Sequence, residues 1–129
     1  HPQNFLFFEG QLVAIIDFVQ ISIADQEYDI AMACHRLVRQ YVVWQGKPWQ
    51  ETLADGIHIF LDAYTSVIPM TDQRIKLLPL FAADLILRKI VSNFSRYRTG
   101  KRSGEQASLE VKKFFAFFEE IEAMKAVLA

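Results

Sequence analysis

A turn at Glu9-Gly10 divides the start of the chain into two short apolar runs, and the rest of the sequence carries helical periodicity. Residues 5–8 read Phe-Leu-Phe-Phe, and residues 11–16 read Gln-Leu-Val-Ala-Ile-Ile, rich in β-branched side chains. Two such runs around a Gly-bearing turn predict a β-hairpin over residues 4–17. Folding it about Glu9-Gly10 sets Phe8 beside Gln11 or Leu12. Asn4 then falls opposite Ile15 or Ile16, so Asn4 and Asp17 emerge together at the open end.

From residue 25 to 129 the spacing of apolar residues predicts helices. Asp25 is placed to cap one whose apolar residues Ile30, Cys34, Leu37, Val38 and Tyr41 repeat at the helical period, ending at Gln45-Gly46-Lys47-Pro48. A second runs from about Trp49 to Ile68, with Leu53, Ile57, Phe60, Leu61, Tyr64 and Ile68 on one face and Pro69 at its end. Thr71 or Asp72 starts a third. Residues 75–94 are apolar nearly all round, which predicts a central buried helix, and Pro79 is expected to kink or divide it. A polar loop from Thr99 to Gly104 precedes a last helix, about Glu105 to Val127, with a Phe stripe too wide for one core face. The pattern is one hairpin followed by four or five helices: a mainly α fold in a single domain, residues 1–129.

Composition narrows the class. With 52% hydrophobic and 22% charged residues the chain is globular rather than disordered. A net charge of −1 argues against a general polyanion binder, so no nucleic-acid partner is expected. No apolar run reaches the roughly 18 residues a membrane span needs, and nothing resembles a signal peptide, so the cytoplasm is the expected compartment. Cys34, the single cysteine, suits a reducing setting. A start at His-Pro, without Met, reads as a piece of a longer polypeptide.

Asn4 and Asp17 carry the chemistry. Mg²⁺ prefers hard oxygen ligands in octahedral array, with protein supplying one or two and phosphate oxygens filling others. An Asn carbonyl and an Asp carboxylate at a hairpin's open end meet that need, although two polar residues at a loop end are more often structural caps. Three linked motifs sharpen the reading: His1-Pro2-Gln3-Asn4-Phe5-Leu6, then Ile16-Asp17-Phe18, then Tyr28-Asp29-Ile30-Ala31. In order and spacing they resemble the C-terminal lobe of the aminoglycoside phosphotransferase and choline kinase family, small-molecule kinases with the protein-kinase fold. The resemblance covers residues 1–43 by motif.

It implies an α+β kinase-like C-terminal lobe, ATP and Mg²⁺ as cofactors, and a small hydroxyl-bearing acceptor as substrate. It implies that Asn4 and Asp17 are the magnesium ligands. Leu6 and Ile16 stand where the family floors the adenine pocket, which is also compatible with ordinary hairpin core. Asp29 matches a buried Asp that braces the catalytic loop; it equally suits a first-turn acid favoured by the helix dipole. His1 receives no catalytic role. Asp17 to Tyr28 leaves ten intervening residues and no Ala-Pro-Glu, too little for the activation segment of a protein kinase, about twenty residues or more.

The sequence departs from the pattern where the family's general-base Asp would stand, two residues before His1. The N-terminal lobe, with its phosphate-covering loop and lysine, is absent too, and the isolated chain is expected to be inactive. Val19 replaces the glycine or small polar residue common after Asp-Phe. No acidic aminoglycoside-binding tail is recognisable. The competing reading is a non-catalytic helical module, either a degenerate kinase lobe or a partner-binding domain.

Weaker signals have plainer explanations. The basic run Arg88, Lys89, Arg96, Arg98, Lys101 and Arg102 reads as a solvated helix end rather than a nucleic-acid patch. Asp84 is a weak substrate candidate and more simply pairs with Arg88 one turn on. His35 and His58 fall on polar faces and read as surface residues. Trp44 and Trp49 flank a turn and are expected to pack at the helix junction.

Overall fold

A computed structural model describes residues 4–17, 23–46 and 48–129, and the side chains of 49–51 lie outside that description. Strand β1 (Phe5–Phe8) pairs antiparallel with β2 (Gln11–Ile15). Among the described residues four helices follow: α1 (Gln26–Gln45), α2 (Trp49–Thr65), α3 (Asp72–Arg98) and α4 (Gly104–Val127). The architecture is mainly α with one two-stranded hairpin, as the periodicities predict. Among the described residues no helix is long and apolar enough to cross a membrane.

Each helix boundary has a local cause. Gly46 takes a left-handed φ of 63° and donates its N–H to the Val43 carbonyl, ending α1 as glycine does at low steric cost. Asp25 stands at the α1 N-cap position, but its side chain makes no capping hydrogen bond. Thr71 Oγ1 accepts from the Arg74 N–H at the start of α3. Ser103 and Gln106 form a reciprocal capping box at the start of α4, with bonds of 3.1 and 3.2 Å.

The core lies among the helices, and no hairpin residue joins it. Ile30, Ala31, Cys34, Val38 and Val42 line the inner face of α1; Leu53, Ile57 and Leu61 line that of α2. Val42, not Tyr41, completes the α1 face, and Tyr41 is exposed. Ile68 lies beyond the end of α2 and is exposed as well. Gly56 permits the close approach of α2 to α1, because a Cβ there would stand 2.7 Å from Val38 Cγ1. Burial pushes the Cys34 thiol up to about 12, which keeps it protonated and unreactive.

One expectation for α3 is corrected and another is narrowed. It is not a central buried helix: Leu78, Pro79, Ala82, Ile86 and Asn93 are buried, while Leu80, Leu87, Val91 and Phe94 face outward. Among the described residues α3 packs mainly against α1 and α4, which leaves part of its apolar surface uncovered. Of the two effects expected of Pro79, a kink or a division, division does not occur: the helix runs from Asp72 to Arg98. Proline removes one backbone bond, but Leu78, Ala82 and Ile86 are clamped in the core on both sides of it. The Phe stripe of α4 splits similarly: Phe114 is buried, Phe117 and Phe118 are half-buried, and Phe115 is exposed.

His35 is also corrected. It is 5% exposed, not a surface residue, whereas His58 is exposed. The imidazole packs edge-on against Phe117, with ring centroids 5.1 Å apart, and its Nε2 lies 2.9 Å from Glu120 Oε2. That contact is an ion-pair approach with poor hydrogen-bond alignment, and His35 Nδ1 finds no partner among the described residues. Arg39 Nε donates to the other Glu120 oxygen at 2.7 Å and its guanidinium covers the Phe117 ring. Burial opposes ionisation of Glu120, but His35 and Arg39 outweigh it and hold the carboxyl below its usual value of 4.5. A depressed carboxyl contributes stability above its unfolded pKa and loses it as pH falls through the folded one. Urea midpoints should therefore drop on acidification below about pH 4.5, and Glu120→Gln should flatten that drop. Identical pH curves for the two proteins would refute the role given to Glu120.

Candidate active site

The hairpin delivers Asn4 and Asp17 through its register. Glu9 and Gly10 both have positive φ, 48° and 77°, which suits the tight turns that match strand twist. The pairs Phe8 with Gln11 and Phe7 with Leu12 follow directly from that turn. Between Leu6 and Phe7 the register shifts: Leu6 pairs with Ala14 and Phe5 with Ile15, leaving Val13 as the extra residue of a bulge. Of the two registers open to the sequence, the bulge selects Asn4 opposite Ile16, and the Ile16 N–H donates to the Asn4 carbonyl at 2.8 Å.

Asp17 is the next residue. Its φ of 65° is left-handed, a conformation uncommon outside glycine but tolerated best by Asn and Asp. Strand alternation alone would turn Asn4 and Asp17 to opposite faces. The left-handed residue ends that alternation where the carboxylate leaves the sheet. Asp17 is exposed and Asn4 half-buried, and neither side chain has a hydrogen-bond partner among the described residues. Among the described residues no group of three or more His, Cys, Asp or Glu side chains is arranged to hold a metal ion. Any cation here would need oxygens from elsewhere, as a nucleotide's phosphates provide.

Leu6 and Ile16 are 43% and 45% exposed. They are not hairpin core; they present apolar surface beside Asn4. Asp29 is exposed in the first turn of α1, not buried. The helical phase that turns Glu27, Ile30 and Ala31 inward turns Asp29 out. The loop it would brace, with His1, lies outside the described residues, as do Phe18, Val19 and the Trp49 side chain. Trp44 is exposed and leans on Tyr41 rather than packing at the junction.

Asp84 does pair with Arg88, whose Nε donates at 2.7 Å, but it has a second partner the sequence did not reveal. The Tyr28 hydroxyl donates to the same Oδ2 at 2.7 Å, and an Arg88 terminal nitrogen donates to the Tyr28 oxygen at 3.1 Å. The Asp84 bond, then burial, hold the Tyr28 hydroxyl above its usual pKa. The Tyr28 bond, against some burial and with help from Arg88, holds Asp84 below its own. This triad fastens the start of α1, just after the Asp17 segment, to the middle of α3. Arg74 on α3 binds the buried Glu27 beside it. Asp84, Glu27 and their partners fix where α1 begins. Their sequence signal was slight: Tyr28 lies within a quoted motif, but its partner is 56 residues away.

A phosphotransferase enzyme family model matches residues 1–69, which spans the hairpin, α1 and α2 and extends past the motifs that end at about residue 43. No curated protein and no solved structure matches the chain. The matched segment holds Asn4, the bulged hairpin, Asp17 and the Tyr28-Asp29 helix start in one unit covering over half of the sequence, and the chain belongs to the phosphotransferase enzyme family.

Proposed function

We propose that this chain is the C-terminal lobe of a protein-kinase-like phosphotransferase that moves the γ-phosphoryl group of ATP to a hydroxyl of a small molecule. The observation that supports the reading is the hairpin's open end, where the Ile16 N–H donates to the Asn4 backbone carbonyl and the left-handed Asp17 follows next in the chain. Both side chains offer hard oxygen, the donor chemistry Mg²⁺ selects, and neither is hydrogen-bonded among the described residues. Asn4 and Asp17 would hold the ion. Bound there, Mg²⁺ supplies charge neutralisation at the triphosphate.

The chain's own residues have two tasks. Asn4 and Asp17 orient oxygen toward the nucleotide. Leu6 and Ile16 give the adenine an apolar floor and exclude water from it. The general base for the acceptor hydroxyl is an Asp N-terminal to His1, and the phosphate lysine and covering loop belong to a preceding lobe. Positioning and electrostatics supply most of the rate in phosphoryl transfer. ATP dependence and the lone reduced Cys34 suit the cytoplasm.

ADP release by the full-length protein with Mg·ATP, measured across a panel of aminoglycosides, amino alcohols, homoserine and thiosugars, tests the function. The expected result is release that depends on one hydroxyl-bearing acceptor and stops when the divalent cation is chelated. ATP binding without acceptor-dependent release would instead mark a degenerate lobe.

A further inference from the structure

A groove between α1, α3 and α4 collects positive charge that the hairpin site does not use. Arg36 reaches it from α1, Lys89 and Arg96 from α3, Arg102 from the loop before α4, and Lys113 from α4. One acid, Glu110, lines it, and that carboxylate is engaged with Lys113 at 3.0 Å. Arg36, Lys89, Arg96 and Arg102 have no carboxylate within ion-pair distance among the described residues. Arg102 is nevertheless held in place: Asn93 is 4% exposed, bonds the Ala107 carbonyl through its amide, and accepts from the Arg102 guanidinium at 2.7 Å.

Helix dipoles account for little of this. Arg96 sits in the last turn of α3, where a cation is favoured, but Arg36, Lys89 and Lys113 occupy the middles of their helices. Lys89 is half-buried, and burial first, then the nearby Arg36 charge, lowers its pKa. Two cations facing each other in a partly desolvated groove destabilise the fold unless an anion stands between them. We propose that this groove is a binding site for a compact, multiply charged phosphoryl anion, such as a di- or triphosphate group, gripped from three helices and a loop. Arginine forks match phosphate oxygens in pairs, and a buried Asn pre-aims one of them. Convergence on one groove favours a compact ligand over a polymer, and a net charge of −1 gives a long nucleic acid no general attraction.

Calorimetric titration with inorganic tripolyphosphate, in EDTA so that no divalent-dependent nucleotide site contributes, tests this. The expected result is one-to-one binding that weakens steeply with salt. Arg36→Gln and Arg96→Gln should each weaken it by about tenfold, the scale of a charge-assisted bond. Lys76→Gln, exposed elsewhere on α3, should leave it unchanged. Arg96 is exposed, so its substitution leaves the core intact and the test does not depend on the half-buried positions. Absence of binding, binding indifferent to both arginines, or a single-stranded RNA that binds more tightly in proportion to its length would each overturn the proposal.

Discussion

Asp17→Asn in the full-length protein is expected to lower Mg²⁺-dependent phosphoryl transfer by about 10²–10³-fold, the scale of removing one preorganised electrostatic group from an active site. Asparagine is the informative replacement. Asp17 has a φ of 65°, where alanine would itself cost about 1–2 kcal/mol of backbone strain. Asn tolerates that conformation and removes only the negative charge. Asn4→Ala should act in the same direction, and the pair should be non-additive because both act on one ion. Thermal stability should barely move, since neither side chain is hydrogen-bonded among the described residues and no hairpin residue joins the core cluster. Loss of stability in step with activity would mean that Asp17 is a structural turn residue.

The second large effect is on stability. Leu78→Ala should destabilise the fold by about 2–5 kcal/mol, read from urea midpoints, because Leu78 is fully buried where α3 meets the other helices. A domain's whole stability is about 5–15 kcal/mol, so the variant should sit near the edge of folding. Leu80→Ala, two residues on and 62% exposed, should cost under about 0.5 kcal/mol. The contrast tests the arrangement of α3 directly. Equal costs would mean that α3 is buried all round, as its composition suggests and its packing denies.

Local features were legible in the sequence, and long-range ones were not. The Glu9-Gly10 turn, the Gly46 stop, Thr71 and the Ser103 region announce themselves within a few residues, because turns and caps are short-range chemistry. The open end of the hairpin was legible to within one residue, and only the bulge decided between Ile15 and Ile16. Helical period identified α3 but misjudged its surroundings, because an apolar stripe does not say how many neighbours cover it. His35 was misplaced for the same reason. Its burial depends on Glu120 and Phe117, more than eighty residues away on α4. The tie from Tyr28 to Asp84 was likewise invisible, although each residue had been noticed separately. The cationic groove was half seen: the run from Arg88 to Arg102 was evident, but Arg36 and Lys113 join it only through packing.

The central claim is that Asn4 and Asp17 share one cation beside a triphosphate. A crystal structure of the full-length protein with ATP and Mn²⁺, with the metal located by its anomalous signal, tests it most directly. The account predicts a metal peak within roughly 2.0–2.3 Å of one oxygen from each side chain and of the nucleotide's phosphate oxygens. A metal held elsewhere, or Asn4 and Asp17 aimed to opposite sides of the hairpin with the nucleotide bound, would contradict it.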